Sequence, residues 1–181
     1  MSAIEGVNRL CDGCLIGKQR LTPFPSQASY RFSESLELVH DDIWGPIKLA
    51  TSGGKTLFLL LVDDKSRFMW LILLQAKSEA AEAIKGTQAQ AEVECWKKMR
   101  VLCTDRGEEF TSASFDKYCD ELGMQRHLTA PYSPQQNGVV ECQNQTIFRT
   151  TRSLLMMARM PRRFWGEEVR TTVYLLNRSP T

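Results

Sequence analysis

Long hydrophobic runs are missing from this chain. The longest, LFLLLV at 57–62, falls far short of the roughly 20 apolar residues that a membrane-crossing helix needs, so no membrane role is expected. The start, MSAIEGVNRL, carries no apolar signal segment, and 181 residues are too many to need covalent staples. The six cysteines, Cys11, Cys14, Cys95, Cys103, Cys119 and Cys142, are therefore expected to be reduced thiols of an intracellular protein. No strong excess of one charge is present either. A net charge of +2 and an isoelectric point near 8.2 permit a polyanionic partner without requiring one. Internal repeats and low-complexity segments are absent too, and 43% hydrophobic residues are enough for one core.

What is present is a series of dense apolar runs punctuated by turn residues. After a cysteine-containing head and a proline-rich connector, LTPFPSQ at 21–27, LELVHDDIW reads as a strand ended by Gly45 and Pro46. KTLFLLLVDD and RFMWLILLQ, parted by a polar turn from Asp63 to Ser66, read as a hairpin whose strands are buried on both faces. SEAAEAIKGTQAQAEVECWKK, rich in Ala, Glu, Gln and Lys, is expected to be a helix capped by Ser78. MRVLCTD makes a fourth strand ending at Asp105; a short helix capped by Ser112 or Ser114 runs to Leu122 and stops at Gly123; MQRHLTA is a fifth strand. Helices at 138–160 and about 163–177, parted at Pro161, close the chain. This order predicts an α/β domain, a mixed five-stranded sheet flanked by helices, starting near residue 36 after a head too small to fold alone.

Three acids draw notice on that layout. Asp42 lies on the first strand, Asp105 ends the fourth, and Glu141 falls in the first turn of the long helix; open α/β sheets gather their chemistry at strand ends. Converging carboxylates with no lysine nearby repel one another, a cost relieved by hard divalent cations that prefer oxygen ligands. Mg²⁺ or Mn²⁺ is the natural occupant. Two such ions about 3.5 to 4 Å apart activate an attacking water or hydroxyl and stabilise the leaving oxygen of an in-line phosphoryl displacement. The chain has 21 acidic residues, most of them surface, so composition and spacing alone leave the choice of acids open.

Six segments then follow one another along nearly the whole chain: CDGCLIGKQRLTPFP, LVHDDIWGPI, KTLFLLLVDDKSRFMWLILL, VLCTDRGEEFTS, LTAPYSPQQNGVVECQNQT and FWGEEVRTTVYLLNRSPT. In kind and order they resemble the integrase catalytic core of copia-type LTR retrotransposon polyproteins, of the retroviral integrase superfamily with its RNase H-like fold. The resemblance assigns the catalytic and metal-binding roles to Asp42, rather than Asp41, and to Asp105 and Glu141, with the family's usual 35 residues between the last two. It divides the chain into the end of a pre-integrase zinc-binding segment with its connector, 1–27, and a catalytic core, 28–181, truncated at its C-terminus. It implies Mg²⁺- or Mn²⁺-dependent trimming of the 3′ ends of double-stranded element DNA, then attack of the new 3′ hydroxyls on target DNA. A homo-oligomer acting in nucleus and cytoplasm is implied as well.

Around Glu141, Gln136 and Asn137 offer amides where DNA must approach, and Gln145, Arg149 and Arg152 share a helical stripe with Glu141. Val140, Ile147, Leu154 and Ala158 form a second stripe suited to the core. The zinc site is incomplete: Cys11 and Cys14 have knuckle spacing, but residues 1–10 hold no histidine, and two ligands do not close a tetrahedral site, so no zinc is expected in the isolated chain.

The chain also departs from the family pattern. ECQN lacks the basic residues that follow the glutamate, Glu108 replaces a glycine, and Cys103 replaces a basic residue. Each change is one transition away in suitable codons, which predicts a decaying element copy. Hence the alternative reading is an inactive truncated remnant that keeps the fold and binds nucleic acid or a protein partner. An RNase H acting on hybrids is a third reading, disfavoured by the late-helix glutamate.

Overall fold

One interior strand explains most of the architecture. In this computed structural model, which describes residues 32–104, 107, 110, 112–128 and 134–179 (134–138 by backbone alone), β2 spans Leu57–Asp63 and every residue of it is buried. Alternate side chains of a strand point to opposite faces. Leu57, Leu59 and Leu61 therefore enter one apolar cluster and Phe58, Leu60 and Val62 another, so a continuous apolar run builds two cores at once.

The sheet follows the order β3-β2-β1-β4-β5. β1 (Leu38–Trp44) and β3 (Met69–Leu74) flank β2 antiparallel, while β4 (Val101–Thr104) joins β1 and β5 (Gln125–Leu128) joins β4 in parallel. One face is covered by α1 (Ala80–Cys95) and α2 (Ala113–Leu122) through Ile84, Ala91, Phe115 and Cys119. The other is covered by α3 (Pro134–Met157) and α4 (Trp165–Leu176) through Val140, Ile147, Trp165, Val169 and Val173. The predicted mixed five-stranded sheet flanked by helices is the fold observed.

Several local expectations change. β3 is buried only at its ends, because it is the sheet edge and lacks an outer neighbour. Asn177, just past α4, closes that edge: its Oδ1 accepts from Met69 N–H at 2.9 Å and its Nδ2 donates to Met69 O at 2.8 Å. Ser78 caps nothing. It lies in a single 3-10 turn, Lys77–Glu79, and Glu79 takes the cap position of α1, its carboxylate accepting from Lys55 Nζ and Gln75 N–H. Ser112 does cap α2, accepting from Phe115 N–H at 3.3 Å, and Gly123, at φ +65°, ends it.

The long helix begins at Pro134 rather than at 138 and ends at Met157. A proline suits the first helical position because its missing N–H would have no partner there. The expected head at 1–27, with Cys11 and Cys14, and the departure at Glu108 lie outside the described residues. Cys95, Cys103, Cys119 and Cys142 are free thiols.

Candidate functional site

Alternation along β1 separates its two aspartates. Val39 and Ile43 belong to the α1/α2 core, and Asp41, fully buried, shares their side of the strand; Trp44 packs into the α3/α4 core, and Asp42 shares its side. Asp42 thus faces α3, and it is half-buried. α3 is seated on the sheet by Val140 and Ile147, both with no exposed surface.

Between those two anchors lies Asn144, also fully buried, whose Nδ2 donates to Asp42 Oδ2 at 2.5 Å. The amide orientation follows from its partner: a carboxylate needs a donor, so the nitrogen faces Asp42 and Oδ1 is left buried without a hydrogen-bond partner. Glu141 precedes Asn144 by three residues, and positions three apart are neighbours on a helix surface. Glu141 is exposed beside the point where α3 touches Asp42. Because α3 starts at Pro134, Glu141 is its eighth residue rather than part of its first turn, out of range of the helix N-terminal dipole.

β4 brings the neighbouring strand alongside, with His40 opposite Cys103 and Thr104 buried. Asp105 follows Thr104 in the chain and lies outside the described residues. Among the described residues, no group of three or more His, Cys, Asp or Glu is gathered for a metal ion. The donor chemistry still fits a hard divalent cation: carboxylate oxygens on Asp42, half-buried, and on Glu141, exposed to solvent.

The other predicted residues divide. Gln136 and Asn137 belong to the first turn of α3, not to a loop, and their side chains lie outside the described ones. On the stripe with Glu141, Gln145 and Arg152 are exposed and Arg149 is half-buried. The inward stripe departs from expectation. Val140 and Ile147 are buried, but Leu154 is half-buried and Ala158 is exposed beyond the helix end. The buried line runs instead through Asn144 and Thr151, whose Oγ1 donates to Thr172 on α4 at 2.9 Å. Polar residues occupy this seam because each finds a partner across it.

Cys103 is buried between the strands, and burial first, then the charge of Asp41, pushes its thiol up to about 11. It is a neutral thiol off the protein surface, so its departure from the family pattern changes no outer face. His40 serves another network. Its Nε2 meets Asp64 Oδ1 at 3.3 Å, and Arg67 Nη1 approaches the same oxygen at 3.2 Å. Burial alone would raise the Asp64 carboxyl, but the hydrogen bond to His40, the charge of Arg67 and the Phe32 N–H together hold it below its ordinary value.

Sequence reasoning missed Asn144 and an aromatic pair. Trp44 and Phe148 meet at 5.6 Å with a 38° tilt, one helical turn beyond Asn144 on the face that carries Asp42. The signal for Asn144 was a polar residue between Val140 and Ile147, three places after Glu141.

The family model described as the integrase core domain matches residues 33–134, more than half of the chain. The chain belongs to the integrase core domain family. The matched span includes Asp42 and Asp105 and ends before Glu141. Relatives extend the likeness over 171 residues, 94% of this chain. The Retrovirus-related Pol polyprotein from transposon TNT 1-94 of Nicotiana tabacum is 40% identical, and those from transposons RE1 and RE2 of Arabidopsis thaliana are 29% and 28% identical. The chain spans only 13%, 11% and 12% of the lengths of these polyproteins. The mixed sheet with helices on both faces is the RNase H-like arrangement of an integrase core.

Proposed function

We propose that this integrase core processes the 3′ ends of double-stranded DNA and joins them to target DNA, using Asp42, Asp105 and Glu141 to hold Mg²⁺ or Mn²⁺. The observation that carries the proposal is the seam where α3 meets β1. There Asn144 grips Asp42, and Glu141 stands one helical turn away, open to solvent. Family membership supports the reading, since the matched span holds Asp42 and Asp105, and the segment carrying Glu141 follows them in the order that the resemblance implies.

When bound, the ions supply Lewis-acid activation of a water or 3′ hydroxyl and charge neutralisation at the leaving oxygen. The protein's own part is geometric. β1, held between β2 and β4, fixes the Asp42 backbone, and the Asn144 amide fixes which carboxylate oxygen stays turned toward α3. Glu141, on a helix anchored by Val140 and Ile147, is presented from the opposite side of the seam. Gln145 and Arg149 continue along α3 and would contact the DNA backbone, as would Gln136 and Asn137 ahead of Glu141.

Isothermal titration with Mn²⁺ tests the metal assignment. Wild-type chain should bind and Asp42→Asn should bind at least about 10-fold more weakly. Equal affinity in the two would remove Asp42 from the site.

A further inference from the structure

The net charge of +2 conceals a sharp division. Residues 142–166 contain five arginines, Arg149, Arg152, Arg159, Arg162 and Arg163, and no acidic residue. The rest of the chain is therefore net acidic.

Ion pairing follows the same line in part. Among the described residues, Lys55, Arg67, Lys85, Lys97, Lys98, Arg100, Lys117 and Arg126 each pair with a carboxylate. None of the five arginines after Glu141 has a carboxylate within ion-pair distance there, not even Glu167 or Glu168 in the first turn of α4. Among the described residues, Lys48, Lys65, Arg170 and Arg178, outside that stretch, also have no carboxylate within ion-pair distance. Four of the five are exposed. Arg162 and Arg163 moreover stand at the N-terminal end of α4, where the helix dipole already disfavours cations and favours an anion.

The end of α3 adds an independent observation. Met160 N–H bonds to Leu155 O and Arg159 N–H to Met156 O, the paired closure that ends a helix through one left-handed residue. That residue is Arg159, at φ +50°, where glycine is the residue without a steric penalty. An exposed arginine in a glycine conformation carries a steric cost that glycine would not, and the favourable helix dipole at this C-terminal end returns less than that cost.

We infer that the α3–α4 connection, built on Arg159, Arg162 and Arg163, is a second binding surface for the phosphate backbone of duplex DNA, remote from the carboxylates. Eighteen residues of helical rise put it about 27 Å along α3 from Glu141, the length of about eight base pairs. Between them the outward line of α3 passes Gln145, Phe148, Arg152 and Met156, all exposed, with no acid to repel a phosphate. The inference rests on the proposed DNA-joining function and adds to it where the duplex continues after leaving the metal site. Contact there is with phosphates, so it carries no base preference.

Fluorescence anisotropy with a labelled random-sequence duplex in EDTA, titrated from about 50 to 200 mM salt, tests this without catalysis. Replacing Arg159, Arg162 and Arg163 together by glutamine should weaken binding at least about 10-fold and lower the log–log salt slope by about three, one counterion per lost phosphate contact. Arg159→Gly separates the surface from the fold: binding should weaken while the melting temperature stays level or rises by a few °C. Wild-type chain that fails to bind, or a folded triple variant with the wild-type slope, overturns the inference. So does equal, arginine-dependent binding of polyglutamate, which would make this an acidic-protein surface. Arginine-dependent DNA binding by a chain that joins no DNA would sustain the surface and remove the joining function; joining with an unchanged slope would do the reverse.

Discussion

Asn144 donates its side-chain N–H to Asp42 Oδ2 at 2.5 Å from a position with no solvent exposure. A buried amide in this place orients the carboxylate as outer partners orient metal ligands, and loss of such partners costs about 10- to 100-fold in affinity or activity. Asn144→Leu should lower DNA joining by that factor while leaving DNA affinity unchanged. Asn144→Asp offers a readout that packing alone would not move. Two carboxylates in contact cannot both ionise freely, so the acidic limb of the pH–rate profile should shift upward. Wild-type turnover in Asn144→Leu would show that Asp42 needs no such guide.

Gly166, in the first turn of α4, is set by space. A Cβ there would stand 2.5 Å from Thr51 Cγ2 and 3.0 Å from Leu73 Cδ1, so α4 could not keep its seat on β3. Gly166→Ala should cost about 1 to 3 kcal/mol, read as a fall in the thermal midpoint. An unchanged midpoint would mean that α4 packs more loosely than this geometry requires.

Much of this layout was legible in the sequence, for identifiable reasons. LFLLLV reads as a two-sided strand because apolar residues fill both alternating sets, and both sets do pack into cores. Ser112 and Gly123 mark their helix ends because a side-chain acceptor and a left-handed glycine act locally. Ser78 failed since Glu79, drawn to Lys55 and Gln75, took the cap position through contacts distant in sequence or outside the helix. The inward stripe of α3 differs from the apolar periodicity because burial there follows hydrogen bonding as well as apolar character: Asn144 and Thr151 are buried with partners on other elements. Asp42 was distinguished from Asp41 by resemblance; the structure adds the physical difference, the face of β1 that each occupies.

Asp64 ties Phe32, His40 and Arg67 together, and its carboxyl is held below the ordinary value of 3.8. A carboxyl lowered on folding contributes stability that is present in full above its unfolded value and lost as pH falls through the folded one. The difference in urea midpoint between wild type and Asp64→Asn should therefore be constant near neutral pH and shrink below about pH 4. A difference that grows on acidification would contradict the assignment.

Asn177 substitutes for a missing neighbour strand at Met69, satisfying both its backbone groups. Asn177→Ala should destabilise by about 1 to 2 kcal/mol and speed hydrogen exchange at the Met69 amide. Unaltered exchange would show that solvent satisfies this edge equally well.

The account turns on whether Asp42 and Glu141 act together on DNA. The most direct measurement is joining of a labelled duplex end to target DNA by the chain in Mg²⁺ or Mn²⁺, compared among wild type, Asp42→Asn and Glu141→Gln. The account predicts joined product that needs the divalent ion and falls at least about 100-fold in either variant, with duplex affinity in EDTA preserved. Product that persists in both variants, or forms equally in EDTA, would contradict it.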